Sequence, residues 1–543
     1  MARAIVTYSR GWHSLAVVRS LGRNGVDVYC GEEAPFAPCF FSRYCTGHFQ
    51  YPSVTNDPDG FIDYMVEKVQ ELKPDDPDEP YVLLPVHKET WLIAKHRERF
   101  EPHIRVPLTS YENMATLHDK GSLAEVAAEM GITIPGTRQF TSQDALFRAI
   151  PEIEFPVFLK VREGASGVGL KKCNTPEELT GTFREFVDGY GLQPSEYPLV
   201  QEFIDGDDYC LATLFDSGEC VATMVYRNVR SFPRGTGAGV LRETVSMPDA
   251  EEAARKLLSA RNWHGMAQLD FRKGKDGTAY LIEVNPRFFG GLTQAIAANV
   301  DFPWLVFQIA SGQKIEQKPE VDYSTRTEAP VVGLLATLEE IAHDERALDR
   351  VRIVRDELKA LGNSPLDDIR LKPFWDTIRN AANPHDVKAY LKEMFATHED
   401  TINDVMQSDD PRPAMGFLFP LALMLKHGKL SMGLLTAEQE IESDKPRRSF
   451  RDMLRHPSWR AVALTAALYA VSLFTVNADA TAGNIGLVLG APFAIANQMF
   501  GAVTPEQLGT LAGSIQHTLY HLVTLGVWYL VSAALLRTRP DQA

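Results

Sequence analysis

The stretch QLDFRKGKDGTAYLIEVNPRF, residues 268–288, decides the fold. Its centre, Asp276-Gly277, is a strong signal for a two-residue β-turn, because that turn requires positive φ angles. Apolar side chains recur on both sides of the turn, which predicts a β-hairpin. If these two residues form the turn, the antiparallel register places Asp270 directly opposite Glu283.

Three oxygen ligands converge on one face of this hairpin. Glu283 and Asn285 are two residues apart on one strand, so they point to the same face as Asp270. Mg²⁺ binds hard oxygen donors from few residues, with phosphates and water completing its octahedron. Facing carboxylates would repel each other without a cation. We therefore predict a Mg²⁺ site here. The alternative, a solvated acidic face, fits poorly with the apolar flanking residues.

A glycine-rich loop follows an apolar strand in FPVFLKVREGASGVGL, residues 155–170. Gly164 and Gly167 allow backbone amides to approach phosphate oxygens, and Ser166 adds a hydroxyl donor. Lys160, at the end of the strand, adds a positive charge. The loop is not a Walker A sequence, since no Gly-Lys-Ser/Thr follows. A surface hairpin is the alternative interpretation.

A third segment, LVQEFIDGDDY (residues 199–209), runs from an apolar strand into an acidic turn. Glu202 and the backbone of Ile204 could face the edge of an adenine ring. Asp208, just beyond the glycine, would then be available to ribose hydroxyls. An ordinary acidic turn after a strand is the alternative.

The first 108 residues alternate strands with helices, which predicts a parallel, doubly wound sheet. The lone Gly11 does not form a dinucleotide fingerprint, so a nicotinamide cofactor is not expected. Three residues lie where strands end, which is the usual ligand edge of such a sheet. Solvated loop residues are the alternative interpretation for these three, which are His13, His87 and Lys88.

Taken in order and spacing, these motifs resemble the ATP-grasp superfamily. The resemblance rests on Lys120, on Lys160 with its glycine loop, and on the 199–209 and 268–288 segments. It covers about residues 1–312. The ending EVNPRFFGG is similar to carboxylate–amine ligases, relatives of D-alanine–D-alanine and D-aspartate ligases. The implied fold is an α/β doubly wound N-terminal domain followed by an α+β ATP-grasp domain.

The resemblance implies a role for each motif residue. ATP would be bound by phosphate contacts from the two lysines and the glycine loop, and by nucleoside contacts from the acidic segment. The cofactor-binding residues are then Lys120, Lys160, Gly164, Ser166, Gly167, Glu202, Ile204 and Asp208. Asp270, Glu283 and Asn285 would be the ligands of one or two Mg²⁺ ions, for which Mn²⁺ could substitute, and the catalytic residues are Arg287 and Lys160.

Arg287 follows the metal-binding strand and could hold a substrate carboxylate or the acyl phosphate through two hydrogen bonds. A surface arginine that closes the turn is the alternative. The run Tyr226–Glu243, rich in arginine and glycine, is interpreted as a mobile loop over the acceptor site, or as a plain flexible hairpin.

Charge and cysteine content exclude several classes of protein. The net charge of −16 disfavours a general nucleic-acid binder, which needs a basic surface. Six cysteines with no metal-type pairing are expected to be free thiols in a reducing compartment. The N-terminus lacks the apolar core of a signal peptide, so we expect residues 1 to about 440 in the cytoplasm.

The C-terminal tail differs from the rest of the chain. Residues 461–476 and 518–536 are uncharged and apolar, near the length of a membrane helix, while 483–503 is a weaker third stretch. Basic residues flank the tail on both sides, which predicts two crossings with both flanks in the cytoplasm. A buried helical domain is the alternative.

The predicted domain organisation follows from these patterns. The chain is divided into a pre-ATP-grasp Rossmann-like domain, two ATP-grasp subdomains, a helical region without a chemical motif, and a membrane anchor with two or three helices. Their limits are 1–108, 109–199, 200–312, 313–444 and 445–543.

The predicted function is an ATP-dependent carboxylate–amine, or carboxylate–thiol, ligase that forms an acyl phosphate and releases ADP and phosphate. We expect a multi-pass membrane protein with its catalytic domain in the cytoplasm, acting on small-molecule or envelope-linked substrates. The alternatives are bicarbonate activation of the biotin-carboxylase type and a non-catalytic ATP-binding membrane scaffold. The sequence leaves the substrate pair and the oligomeric state open.

Overall fold

A computed structural model describes residues 2–34, 37–162, 169–232, 238–329, 336, 401–405 and 407–413. The predicted loop residues Gly164, Ser166 and Gly167 lie outside these ranges, as do the three apolar stretches of the tail. Most of the predicted helical region also lies outside them.

The N-terminal part is a parallel sheet of four strands in the order β3-β2-β1-β4. Its strands are β1 (Arg3–Val6), β2 (Asp27–Glu32), β3 (Cys45–Gln50) and β4 (Tyr81–Leu84). The helices are α1 (Trp12–Arg23), α2 (Pro58–Glu71), α3 (Glu89–Lys95) and α4 (Arg97–Phe100). Ala4 and Val6 pack into one core and Ile5 into another, so both faces of the sheet are covered. The predicted doubly wound sheet is confirmed.

A second, antiparallel sheet has the strand order β5-β8-β6-β7. Its strands are β5 (Thr137–Arg138), β6 (Val157–Lys160), β7 (Leu170–Cys173) and β8 (Leu199–Glu202). The helices of this region are α5 (Tyr111–His118), α6 (Lys120–Glu129), α7 (Gln143–Ala149) and α8 (Pro176–Tyr190). Asp119 separates α5 from α6 and caps α6 by accepting a hydrogen bond from the Ser122 amide. This cap makes Lys120 the first residue of α6.

The third sheet has seven strands in the order β13-β12-β9-β10-β11-β14-β15. Its strands are β9 (Gly206–Asp216), β10 (Glu219–Phe232), β11 (Ala238–Val245), β12 (Gly265–Gly274), β13 (Ala279–Asn285), β14 (Arg326–Glu328) and β15 (Ile402–Asn403). The helices are α9 (Pro248–Ser259), α10 (Leu292–Ala297) and α11 (Phe302–Ala310). Ala212 and Leu214 pack into the core that also contains α1, whereas Leu211 and Phe215 face α9. One face of this sheet therefore packs against the N-terminal domain.

In the hairpin of β12 and β13, the turn differs from the predicted one, but the predicted pairing of Asp270 with Glu283 is present. The turn is not the predicted two-residue turn, because Gly277 at φ 87° donates to the Gly274 carbonyl and closes a three-residue loop. The strands therefore leave the turn offset by one residue. A bulge at Ile282 restores the register, so Asp270 does pair with Glu283 as predicted.

The described parts of the predicted helical region include two short strands, β14 and β15, among loops and turns. β14 pairs with β11 and β15 pairs in parallel with β14, because the open edge of the large sheet offers unpaired backbone groups. The segment 401–413 then packs against the N-terminal domain, where the buried Arg19 side chain donates to Asp410. Residues far apart in the sequence thereby join two sheets.

No helix among the described residues is both long enough and apolar enough to cross a membrane. The prediction of membrane helices falls on residues outside the described ranges.

Candidate active site

Asp270, Glu283 and Asn285 meet on adjacent strands of the large sheet. The amide nitrogen of Asn285 lies 3.1 Å from Glu283 Oε1 and 3.3 Å from Asp270 Oδ2. The same nitrogen donates to Gln268 Oε1 over 2.9 Å. The structure thus brings the three predicted ligands onto one patch, as the alternation of strand side chains requires.

The pKa values of the two carboxyl groups are shifted in opposite directions, because the groups are buried side by side. Burial, together with the negative charge of Glu283 and a hydrogen bond to it, raises the pKa of Asp270 well above its usual value. Burial would also raise the pKa of Glu283, but Lys120 and the hydrogen bonds from Asp270 and Asn285 lower it strongly. A metal cation bound between the two groups would favour the ionised form of both.

The donor set fits a small hard cation. It consists of two carboxylates and one carboxamide, whose oxygens are the ligands that Mg²⁺ takes before phosphates and water complete its coordination. Among the described residues, no three His, Cys, Asp or Glu side chains converge as a metal-binding group. The third protein ligand would therefore be the oxygen of Asn285, whose amide can be oriented either way.

Two lysines from different elements reach this patch. Lys120 Nζ lies 3.3 Å from Glu283 Oε2, with only 9% of its side chain exposed. Lys160 is buried at the end of β6, and burial is the main cause that lowers its pKa to about 8. The next largest effects on this pKa come from Glu283, whose negative charge raises it, and from Lys120, whose positive charge lowers it. The structure therefore places both predicted phosphate-binding lysines around Glu283.

The residues on either side of the glycine loop are hydrogen-bonded to each other. Val161 donates its amide to the carbonyl of Gly169 over 2.8 Å, which brings the two ends of the loop together. Gly169 has φ 68°, and a Cβ there would lie 2.3 Å from a Val161 methyl group. Only glycine fits this position.

The predicted nucleoside-binding residues lie on β8 and at the start of β9. Arg272 donates to the carbonyl oxygen of Ile204 and to Asp208 Oδ1, each over 2.6 Å. Glu202 is exposed, and its carboxylate accepts from the Gly136 amide over 3.0 Å. In this structure Arg272 therefore engages two of the three acceptors that were predicted to face the nucleoside, and the third, Glu202, is engaged by Gly136.

Arg287 lies beyond β13, between the carboxyl patch and the N-terminal sheet. It is half-buried, and its guanidinium donates to the carbonyl of Phe288 over 3.2 Å. No described residue forms a salt bridge with it. Its positive charge reaches the imidazoles of His13 and His87 and, with burial as the larger cause, lowers the pKa of each.

Several residues of the site were missed by sequence reasoning. Gln268 Nε2 donates to Asp270 Oδ1 over 2.6 Å, and the buried thiol of Cys210 lies 3.1 Å from the same oxygen. Strand alternation could have found Gln268, which is two residues before Asp270. Cys210 and Arg272 needed the pairing of β9 with β12, which no local pattern shows.

Comparison with known proteins agrees with this geometry. Residues 195–330 match the family model described as "ATP-grasp in the biosynthetic pathway with Ter operon". A D-alanine–D-alanine ligase from Aquifex aeolicus is 26% identical over 229 residues, which cover 39% of this chain and 76% of the ligase. A carbamoyl phosphate synthase large chain from a Thermoanaerobacter species is 24% identical over 247 residues. That match covers 42% of this chain but only 22% of the synthase.

Solved structures with a similar chain trace include a biotin carboxylase from Campylobacter jejuni. Its TM-score is 0.48 at 16% identity, with 60% of this chain and 74% of the other covered. An N5-carboxyaminoimidazole synthetase from Staphylococcus aureus has a TM-score of 0.48 at 14% identity, covering 62% and 85%.

The chain carries an ATP-grasp domain, and its motif resemblance is thereby confirmed. Proteins of this class use ATP with Mg²⁺, which agrees with the predicted cofactors.

Proposed function

We propose that this chain is an ATP-dependent ligase that activates a carboxylate as an acyl phosphate and joins it to an amine or a thiol. The convergence of two carboxylates, one carboxamide and two lysines at one patch carries the proposal. A division into 1–108, 109–199 and 200–312 fits this function, because Lys120 and Lys160 come from the second part and Glu283 from the third.

The residues of this patch have distinct tasks in the proposed reaction. Asp270, Glu283 and Asn285 would hold Mg²⁺, which offsets phosphate charge when bound. Lys120 and Lys160 would stabilise the negative charge of the transferring phosphoryl group. Arg287 would orient the carboxylate through its paired guanidinium nitrogens.

Two bond exchanges make up the reaction. A carboxylate oxygen attacks the terminal phosphorus of ATP, and the bond to the bridging oxygen breaks to release ADP. The amine nitrogen or thiolate sulfur then attacks the acyl carbon, and inorganic phosphate leaves. The amine loses one proton in this second exchange. Because phosphate is the leaving group, no nucleophilic serine or cysteine of the enzyme is needed.

Membrane anchoring through residues 445–543 also remains a proposal, supported by the apolar stretches and the basic flanks of the tail. It would place the catalytic domain at the cytoplasmic face. Cutting the chain near residue 440 keeps the docked 401–413 segment. This truncation is expected to give a soluble protein that still releases ADP.

The decisive experiment measures ADP release with a panel of carboxylates and amines, with bicarbonate as a separate arm. Glu283→Gln is expected to abolish ADP release while the protein stays folded. Glu252→Gln, which alters an exposed carboxylate of α9 paired with Arg255, is the matched control. Full activity in Glu283→Gln would refute the proposed site.

The panel also separates the alternative functions. Stimulation by bicarbonate alone would favour the bicarbonate-activating alternative. ATP binding without any ADP release would favour the scaffold.

A further inference from the structure

We propose that His13, His87 and the first turn of α1 form an anion pocket that receives the carboxylate to be activated, opposite Arg287. This inference rests on the proposed function and names the part of the N-terminal sheet that would bind its acyl substrate.

One ring nitrogen of each histidine is buried without a hydrogen-bond partner among the described residues, although the His13 side chain as a whole is only half-buried. His87 is 7% exposed, and its Nδ1 has no partner among the described residues. The same holds for His13 Nε2. Buried polar atoms are nearly always satisfied, because an unpaired one costs free energy in folding. Two such nitrogens on neighbouring rings therefore indicate a ligand that supplies the missing bonds.

Packing holds the two rings together. The His87 ring stacks on Tyr8 at 4.4 Å between centroids with an interplanar angle of 15°. His13 lies 5.4 Å from Tyr8 and 6.3 Å from His87. A Cβ on Gly11 would lie 2.7 Å from the Tyr8 ring and 2.9 Å from His13 Cε1. The close approach of backbone and rings therefore requires glycine at this position.

The charges around the rings favour an anion. Arg287, Arg242, Lys88 and Arg10 each lower the pKa of one or both imidazoles. Arg242 and Arg10 are paired with Asp404 and Glu32, so the larger share of the unbalanced positive charge comes from Arg287.

Helix α1 begins at Trp12, with Gly11 as an N-cap that has no side chain, and it has no acidic residue in its first turn. The carboxylate of Glu32, which lies beside this end of the helix, is engaged by the amide and the guanidinium of Arg10, so the amides of the first turn stay available to an anion.

The protonation state suits a carboxylate rather than a cation. Burial and the charge of Arg287 lower the pKa of His13 to about 3, so its imidazole is neutral near pH 7 and can donate one N–H. Two neutral N–H donors, within the electrostatic reach of one guanidinium, match the acceptor oxygens of a carboxylate. An ammonium group would be repelled by the positive charge of Arg287.

The pocket lies next to the carboxyl patch. Arg287 follows Asn285 by two residues, and Phe288 and Phe289 pack in the same core as Tyr8 and Val86. The end of β13 is thereby held against the ends of β1 and β4. A carboxylate in the pocket would be close to the phosphates bound at the lysines.

Anion binding by the full chain can be tested without using activity. The melting temperature is measured with acetate, with inorganic phosphate, with neutral acetamide and with methylammonium, at constant ionic strength set by chloride. A non-hydrolysable ATP analogue with Mg²⁺ is present throughout to fill the nucleotide site. Acetate is expected to raise the melting temperature by mass action, and acetamide and methylammonium are not.

His13→Phe and His87→Phe keep the ring packing and remove the nitrogens. Each is expected to fold and to lose the acetate-dependent shift. His48→Phe is the matched control, because His48 stacks on Phe40 at the same 4.4 Å but is exposed. Stabilisation by phosphate and not by acetate would overturn the assignment to a carboxylate. An acetate shift retained in both variants would overturn the pocket itself.

Kinetics separate this inference from the proposed function. With the carboxylate that best stimulates ADP release, both variants are expected to raise its KM by about ten- to a hundred-fold and to leave the KM for MgATP unchanged. Carboxylate-dependent ADP release with unchanged KM in both variants would leave the function standing and refute the pocket. An acetate-dependent shift that requires the histidines, without any ADP release, would support the pocket and refute the proposed function.

Discussion

Lys120 Nζ lies 3.3 Å from Glu283 Oε2, and the contact joins the first residue of α6 to the central residue of the carboxyl patch. The lysine is held there by the Asp119 cap, and Asp119 is itself fixed by two hydrogen bonds from Arg162 at 2.9 and 2.6 Å. The charge of Lys120 is the main influence that lowers the pKa of Glu283 against the effect of burial. One ammonium group therefore serves both the carboxylate patch and the expected phosphate site.

Replacing Lys120 with methionine is expected to slow turnover by roughly 30- to 1000-fold, which corresponds to about 2–4 kcal/mol in the transition state. The methionine keeps most of the side-chain volume and removes the charge. Lys120→Arg should recover part of the loss, because a positive charge remains. Rates of ADP release at saturating MgATP measure both variants. Wild-type turnover in Lys120→Met would show that this lysine acts only in folding.

Lys160→Ala is expected to reduce ADP release by a similar factor of roughly 30- to 1000-fold. Lys160 is buried at the patch, whereas Lys171 is half exposed on β7 and pairs with Glu185 at 3.5 Å. Lys171→Ala is therefore the matched control and should change the rate little. Lys172 is less suitable, because its ammonium group lies 3.6 Å from the centre of the Phe203 ring. Equal small effects at Lys160 and Lys171 would contradict the phosphate role.

Local patterns in the sequence were sufficient for the parts of the site that lie on one hairpin. Strand alternation placed Glu283 and Asn285 on one face, and the Asp-Gly signal located the turn. The bulge at Ile282 could not be predicted, because it depends on how the three-residue loop and the neighbouring strand are paired. The correct pairing of Asp270 with Glu283 therefore came from an incorrect turn length.

Contacts between distant segments were beyond the reach of such patterns. Periodicity predicted a largely helical region from 313 onward, and it gave no sign that the described residues of that region include β14 and β15, which extend the large sheet. Pairing at a sheet edge overrides local propensity, since it satisfies the backbone of both segments. The carboxylates of Asp404 and Asp410, which neutralise buried arginines, likewise have no local signature.

Arg19→Ala is expected to destabilise the protein by about 3–5 kcal/mol, because it leaves Asp410 buried without its ion-pair partner. The Arg19 guanidinium also donates to the carbonyls of Asp404, Val405 and Asp410. Arg23, one turn further along α1, pairs with Asp409 at 2.9 Å, but both side chains are more than a third exposed.

Arg23→Ala is accordingly the matched control, with an expected loss of at most about 1 kcal/mol. Urea unfolding of the two variants measures the difference. Equal losses would mean that the 401–413 segment does not dock on α1 in solution.

Glu89 provides a prediction on the pH dependence of stability. Its side chain is 3% exposed, and one carboxyl oxygen accepts from the Tyr51 hydroxyl at 2.6 Å while the other has no partner among the described residues. Burial raises the pKa of Glu89 from 4.5 to about 7, with the Tyr51 hydrogen bond acting in the opposite direction. The folded protein therefore binds this proton more tightly than the unfolded chain does.

The sign of the effect follows from this difference in proton binding. Below pH 4.5 the carboxyl is protonated in both states, and the contribution of Glu89 to stability is fully present. As the pH rises from 4.5 to about 7, the unfolded chain loses the proton first, so that contribution falls, by about 3 kcal/mol in total. Above pH 7 it changes no further.

Glu89→Gln, which cannot ionise, should therefore gain stability relative to wild type across this window and keep a constant advantage above it. Urea unfolding at intervals from pH 5 to pH 8 measures the gain. Glu98→Gln, on the exposed side of α4, corrects for the general effect of removing one negative charge. Parallel stability curves for wild type and Glu89→Gln would mean that Glu89 ionises in the folded protein as readily as in the unfolded chain.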